Sequence, residues 1–131
     1  MIAIALALAG CEESAATNKA ISSEEPSARI LDRFWLHYDN NTEVAIREFI
    51  YPPSWTAPRH YHNSDLFIYV LDGEFEVTMQ HTGKVVYAKG QVVRMEPETS
   101  MDARNPSDEK QLKLIVFQVG DIDAQFVVPV E

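Results

Sequence analysis

The residues best suited to chemistry are His60 and His62, separated by Tyr61. On a β-strand, residues two apart share a face, so the two imidazoles can approach one point. Neutral imidazole ligates first-row metals. The pair therefore reads as two ligands of one divalent ion, with Fe, Mn, Ni, Zn and Cu all open. The competing reading is a pair of solvated loop histidines following the turn at Pro52-Pro53. Two imidazoles fall short of the three or more protein ligands usual in biological metal sites. His37 and His81 stand alone and read as solvated residues. There is no Ser-His-Asp order, no glycine-rich phosphate loop and no cysteine cluster.

Charge narrows the partners. The 131 residues carry a formal net charge of -9. Such a chain repels phosphate backbones, so no nucleic-acid partner is expected. An anionic membrane surface would not attract it by charge either. The single cysteine, Cys11, rules out an internal disulfide. It follows the apolar run Ile2 to Ala9, which is too short to span a bilayer. Leu8-Ala9-Gly10-Cys11 resembles a bacterial lipobox, in which a peptidase cuts before a cysteine that is then lipidated. The alternative is an apolar strand with an incidental cysteine. The resemblance implies a signal peptide over 1–10 and a lipidated Cys11 followed by a flexible tether over 11–29. It also implies a membrane anchor on the periplasmic face of the cell envelope. Glu12 after the cysteine, rather than Asp, leans the address towards the outer membrane. No Lys or Arg precedes Lys19, which points to a translation start upstream of Met1.

The elements that must position the histidines are strands. From about Ile30 to the end the chain alternates apolar and polar residues in short runs bounded by turn residues. Strands are expected over 33–38, 42–51, 66–71, 74–80, 85–88, 92–95, 111–119 and 125–130. Asp39-Asn40-Asn41 reads as a turn tolerant of positive φ, and Asp72-Gly73 as a two-residue hairpin. Residues 54–59 read as a loop after the prolines, and 96–105 as irregular. Eight or nine short strands with almost no helix indicate an all-β sandwich or barrel.

At this point the sequence resembles the cupin superfamily. The first cupin motif runs Gly, five residues, His-x-His, three or four residues, Glu, six residues, Gly. Ser54 holds the first glycine position, His60 and His62 follow at the right spacing, and Tyr69-Val70-Leu71-Asp72-Gly73 matches the ending. Leu66 stands where the Glu belongs. The second motif runs Gly, five residues, Pro-x-Gly, two residues, His, three residues, Asn. Gly90 and Asn105 keep its separation, while Glu96, Glu98 and Met101 replace the Pro, Gly and His. The likeness covers 44–130. It implies a double-stranded β-helix, a jelly-roll-like barrel occupying 30–131 with its site inside. Cupin enzymes bind one divalent metal through three histidines and a carboxylate, and others only bind small ligands. Here His60 and His62 alone carry over.

Two residues could extend that pair. Asp65 adjoins the lost Glu position and would complete a two-His-one-carboxylate triad if its strand were bulged. Otherwise it points to the other face as a solvated strand-start residue. Met101 offers a soft thioether suited to copper, or it fills the hole left by the missing histidine. Glu96 and Glu98 lie near the expected site and read as wet-loop residues. Trp55, Tyr61 and Tyr69 are candidates for stacking on a flat ligand, the alternative being that they cap the core. Trp35, His37 and Tyr38 could form the edge of a homodimer.

Three functions follow as expectations. The first is an envelope lipoprotein whose barrel binds a small ligand with a degenerate metal site. The second is a mononuclear-metal oxygenase or isomerase using His60 and His62. The third is an envelope adaptor domain, which would need no room inside the barrel.

Overall fold

A computed structural model describes residues 25–131, and Cys11 with its leader and tether lies outside them. The described chain forms ten strands: β1 Ser27–Trp35, β2 Thr42–Tyr51, β3 Thr56–Tyr61, β4 Asp65–Asp72, β5 Glu74–Met79, β6 Gly83–Ala88, β7 Val92–Met95, β8 Met101–Arg104, β9 Leu112–Asp121 and β10 Val128–Pro129. They make two five-stranded sheets, β1-β2-β9-β4-β7 and β10-β3-β8-β5-β6. Every pairing is antiparallel. Apart from the β1–β2 and β5–β6 hairpins, each successive strand changes sheet. This is the double-stranded β-helix expected from the motif spacing.

Alternation decides which side chains meet between the sheets. In β4, Leu66, Ile68 and Val70 are buried while Phe67, Tyr69 and Leu71 stay exposed. In β9, Leu112, Leu114, Val116 and Gln118 are buried. Phe75 and Val77 of β5, Val93 and Met95 of β7, and Met101 and Ala103 of β8 complete the core. The edge strand β1 is exposed along its whole length, with Trp35 among its uncovered residues.

Several expectations change. β1 begins at Ser27, inside the stretch read as tether, and ends before Leu36, which turns into Asp39. That turn needs no positive φ. The Asp39 carboxylate accepts from the Asn41 amide at 3.0 Å and the Thr42 hydroxyl at 2.6 Å. Residues 54–59 are not all loop. β3 runs through Pro58, which sits where the β3–β8 register shifts between Ala57 and His60. A proline cannot donate to a ladder, and a bulge spares it from doing so. Within 96–105, Met101–Arg104 forms a strand between β3 and β5. The last expected strand shrinks to Val128–Pro129. Finally, Asp72-Gly73 is no hairpin. β4 pairs with β7 and β9, and β5 with β6 and β8, so Gly73 is the corner where the chain changes sheet. The expected turn conformation is there, since Gly73 has φ +80, but positive φ does not say which strand comes next.

Candidate functional site

The site begins at the Pro58 bulge. It brings His60 into register opposite Met101 of β8, which in turn stands opposite Met79 of β5. His62 lies just past the end of β3, and its carbonyl accepts the Glu98 amide at 2.8 Å. Glu98 has φ +63 and Ser54 has φ +60. Both stand where the cupin motifs carry glycine, so the backbone keeps the left-handed turns after the residue that makes them easy has gone. Each costs about 1–2 kcal/mol.

His60 and His62 are both buried, their ring centroids 5.0 Å apart and their planes at 86°. His60 Nδ1 lies 2.7 Å from the Pro58 carbonyl oxygen. His62 Nδ1 lies in hydrogen-bonding contact with the Phe126 carbonyl. A carbonyl can only accept, so each Nδ1 carries the proton and donates. Among the described residues neither Nε2 has a protein partner, and the one fully buried side-chain N or O atom without a partner is Arg47 Nε. Each Nε2 therefore opens onto the cavity that both rings line.

That cavity has a volume of about 310 Å³, at the lower end of the range for small-molecule sites. One wall is a run of rings. Trp55 stacks on Tyr51 with centroids 3.6 Å apart, Tyr51 on Phe49 at 5.7 Å, Phe49 on Phe126 at 5.0 Å, and Phe126 meets His62 at 5.0 Å. Phe126 precedes β10 and closes the wall, with the Arg47 guanidinium 5.3 Å from its centroid. Arg47 donates to Gln118 Oε1 at 3.0 Å, and burial lowers its pKa. Burial also pushes the Tyr51 phenol well above its usual range, so it remains a donor. Leu66, Ile68, Met101, Ala103 and Val116 line the cavity as well.

The expected site residues divide. His60, His62, Met101 and Trp55 line the cavity. Asp65 does not, because β4 turns Leu66 inward and Asp65 outward, where its carboxylate meets Arg94 at 3.3 Å. Tyr61 and Tyr69 also leave the site. Each alternates with an inward neighbour, His60 and Ile68 respectively, and neither lines the cavity. Glu96 is exposed and 3.9 Å from Arg94, and Glu98 contributes its backbone amide. Sequence reasoning misses Phe49, Tyr51 and Phe126. The first two stand two apart on an expected strand, which makes their inward face legible but not the cavity they line. Phe126 falls within the strand expected over 125–130 but stands in irregular chain before β10, so strand alternation does not tell which way it points.

The donor set decides what a metal would find. With metal–nitrogen bonds of about 2.0 Å and tetrahedral angles, two rings on one ion stand roughly as far apart as these do. But Leu66, fully buried, occupies the carboxylate position and Met101 the third-imidazole position. Among the described residues no three His, Cys, Asp or Glu side chains gather. These residues do not fit a tightly held divalent ion.

A model of the Cupin domain family matches residues 47–118, more than half of the chain. The chain belongs to the cupin family. No curated protein matches it. Solved structures share the fold at low identity. A cupin with a double-stranded β-helix fold from Methanocaldococcus jannaschii is 19% identical with a TM-score of 0.61, covering 77% of this cupin and 85% of that chain. The SPY1581 protein of unknown function from Streptococcus pyogenes is 16% identical with a TM-score of 0.61, covering 76% and 78%. The DMSP lyase DddQ from Ruegeria pomeroyi is 20% identical with a TM-score of 0.59, covering 66% of this cupin and 43% of the lyase.

Burial makes His62 acid-sensitive. It pushes the pKa down to about 4, against the pull of the Phe126 carbonyl and with a further push from His60. Unfolded, the same ring takes a proton near its ordinary value of 6.5. Stability from a neutral His62 is thus full above pH 6.5 and falls as pH drops towards 4. The loss should reach about 2 kcal/mol by pH 5 and about 3 kcal/mol by pH 4. Urea unfolding of wild type and His62→Phe at pH 7, 6 and 5 checks this. A wild type no more acid-sensitive than the variant over that interval would refute it.

Proposed function

We propose that this cupin is a binding module that holds a flat, apolar small molecule inside its barrel. One observation carries the reading: a cavity walled by stacked aromatic rings, with two buried histidines as its polar pole. A room of this size speaks against a purely structural adaptor, and the missing carboxylate speaks against a metal enzyme. Naphthalene is a suitable probe, and calorimetry should show one site per barrel. Trp55→Ala should weaken it about tenfold, because one aromatic wall face is lost. Absence of any naphthalene binding would overturn the reading.

We further propose that the barrel is held to the envelope membrane through a lipidated Cys11. Leu8-Ala9-Gly10-Cys11 supports this, followed by a polar stretch that can serve as a tether. Cys11→Ala should move the protein from the membrane fraction to the soluble periplasmic fraction, followed by immunoblot. Equal membrane association of the variant would reject the anchor.

A further inference from the structure

We infer that the ligand of this cavity is neutral and presents an O–H or N–H donor to the histidine pair, an inference that rests on the small-molecule reading above. The proton positions impose it. His60 Nδ1 and His62 Nδ1 are committed to the carbonyls of Pro58 and Phe126. In a neutral imidazole the remaining nitrogen can only accept. The inner end of the cavity therefore offers two acceptors side by side, with Leu66, Met101 and Val116 around them supplying no donor.

Placed against the two buried histidines, a ligand carbonyl, carboxylate or phosphate would meet lone pairs with lone pairs and lose its hydration without replacement, because the polar hydrogens of the lining, on Tyr51, Trp55 and Thr56, belong to its less buried residues. An ammonium would fare no better, since no Asp or Glu among the described residues lines the cavity to neutralise it. Among those residues one cationic side chain, Arg59, touches the lining, and it is held by Asp102 at 3.4 Å and Ser100 at 3.2 Å. What remains complementary to the histidine pole is a phenol-like hydroxyl or an azole or amide N–H on a flat apolar body. Sites built to pair a ligand's polar hydrogen discriminate strongly against analogues that lack it, because their own buried groups are then left unpaired.

Four probes of one shape test this on the unaltered protein: naphthalene, 2-naphthol, 2-methoxynaphthalene and 2-naphthoate, titrated by calorimetry at pH 7.5. The expected result is 2-naphthol at least about tenfold tighter than naphthalene, one net hydrogen bond's worth. The methyl ether should show no gain over naphthalene, and the carboxylate should bind weakest. In His60→Leu, checked for folding by circular dichroism, the preference for the naphthol should shrink. If naphthalene binds and 2-naphthol binds no better than its methyl ether, the donor inference fails while the apolar site stands. If 2-naphthoate binds tightest, the pole is cationic and the inference is reversed. If none of the four binds, the small-molecule reading itself falls and takes this inference with it.

Discussion

Replacing Leu66 by Glu and Met101 by His together should raise Zn(II), Mn(II) and Co(II) affinity at least about a hundredfold over wild type, since each added ligand multiplies binding. Both positions line the cavity beside His60 and His62, and Met101 lies directly across the ladder from His60. The backbone turns at Ser54 and Glu98 retain the left-handed geometry of the motif glycines, so the frame for four ligands survives although two of the ligands do not. The metal-free double variant should be less stable than wild type. Leu66 is fully buried, and a carboxylate there without a partner costs several kcal/mol or takes up a proton instead. Metal should restore that stability by mass action, about 2.7 kcal/mol at a hundred times Kd. The signature is thus a low Tm that climbs steeply with added Zn(II) in the double variant and hardly moves in wild type. One tightly bound equivalent in wild type, lost in His60→Ala, would show that a thioether and two imidazoles suffice. No gain in the double variant would show that the two side chains do not converge on the histidines.

The fold is legible where side-chain alternation and turn residues agree. Leu66, Ile68 and Val70 against Phe67, Tyr69 and Leu71 announce a strand with one buried face, and β9 repeats the pattern. Two strands escape. β3 carries Pro58, which argues against a strand unless a bulge is present, and no local signal announces the bulge. β8 has four residues and follows an irregular segment, too short for periodicity to register. These two strands are the ones that hold His60 and Met101, so motif spacing alone points to the site. The wall of the cavity is less legible still. Phe49 and Tyr51 sit on an expected strand, but nothing local distinguishes a ring that lines a cavity from one that fills a core. Asp65 shows the converse, a suitable side chain one residue out of phase. The tautomers of His60 and His62 depend on carbonyls at Pro58 and Phe126. The second partner lies 64 residues away in sequence and is visible only after folding.

Gly73→Val should destabilise the barrel by about 3 kcal/mol or more, and the cause can be separated from ordinary turn strain. Gly73 sits at φ +80, where an L side chain pays roughly 1–2 kcal/mol. Space is the second problem. A Cβ placed there would lie 2.5 Å from the Gln111 carbonyl oxygen and 3.2 Å from the Leu112 Cα, both backbone atoms. Neither can swing aside as a side-chain tip would, so relief requires moving the start of β9, whose Leu112 is fully buried. Overpacking of this kind adds about 1–3 kcal/mol. Gly83 supplies the internal control, since it has φ +70 and nothing within 4 Å of where a Cβ would stand. Gly83→Ala should therefore cost only the conformational share, about 1 kcal/mol, whereas Gly73→Ala should cost at least about twice that. Chemical denaturation of the three variants measures the difference. Equal losses at the two alanines would mean that Gly73 faces open space, as in the free hairpin that its sequence suggests. A larger loss at Gly73 is what a sheet-changing corner packed against β9 requires.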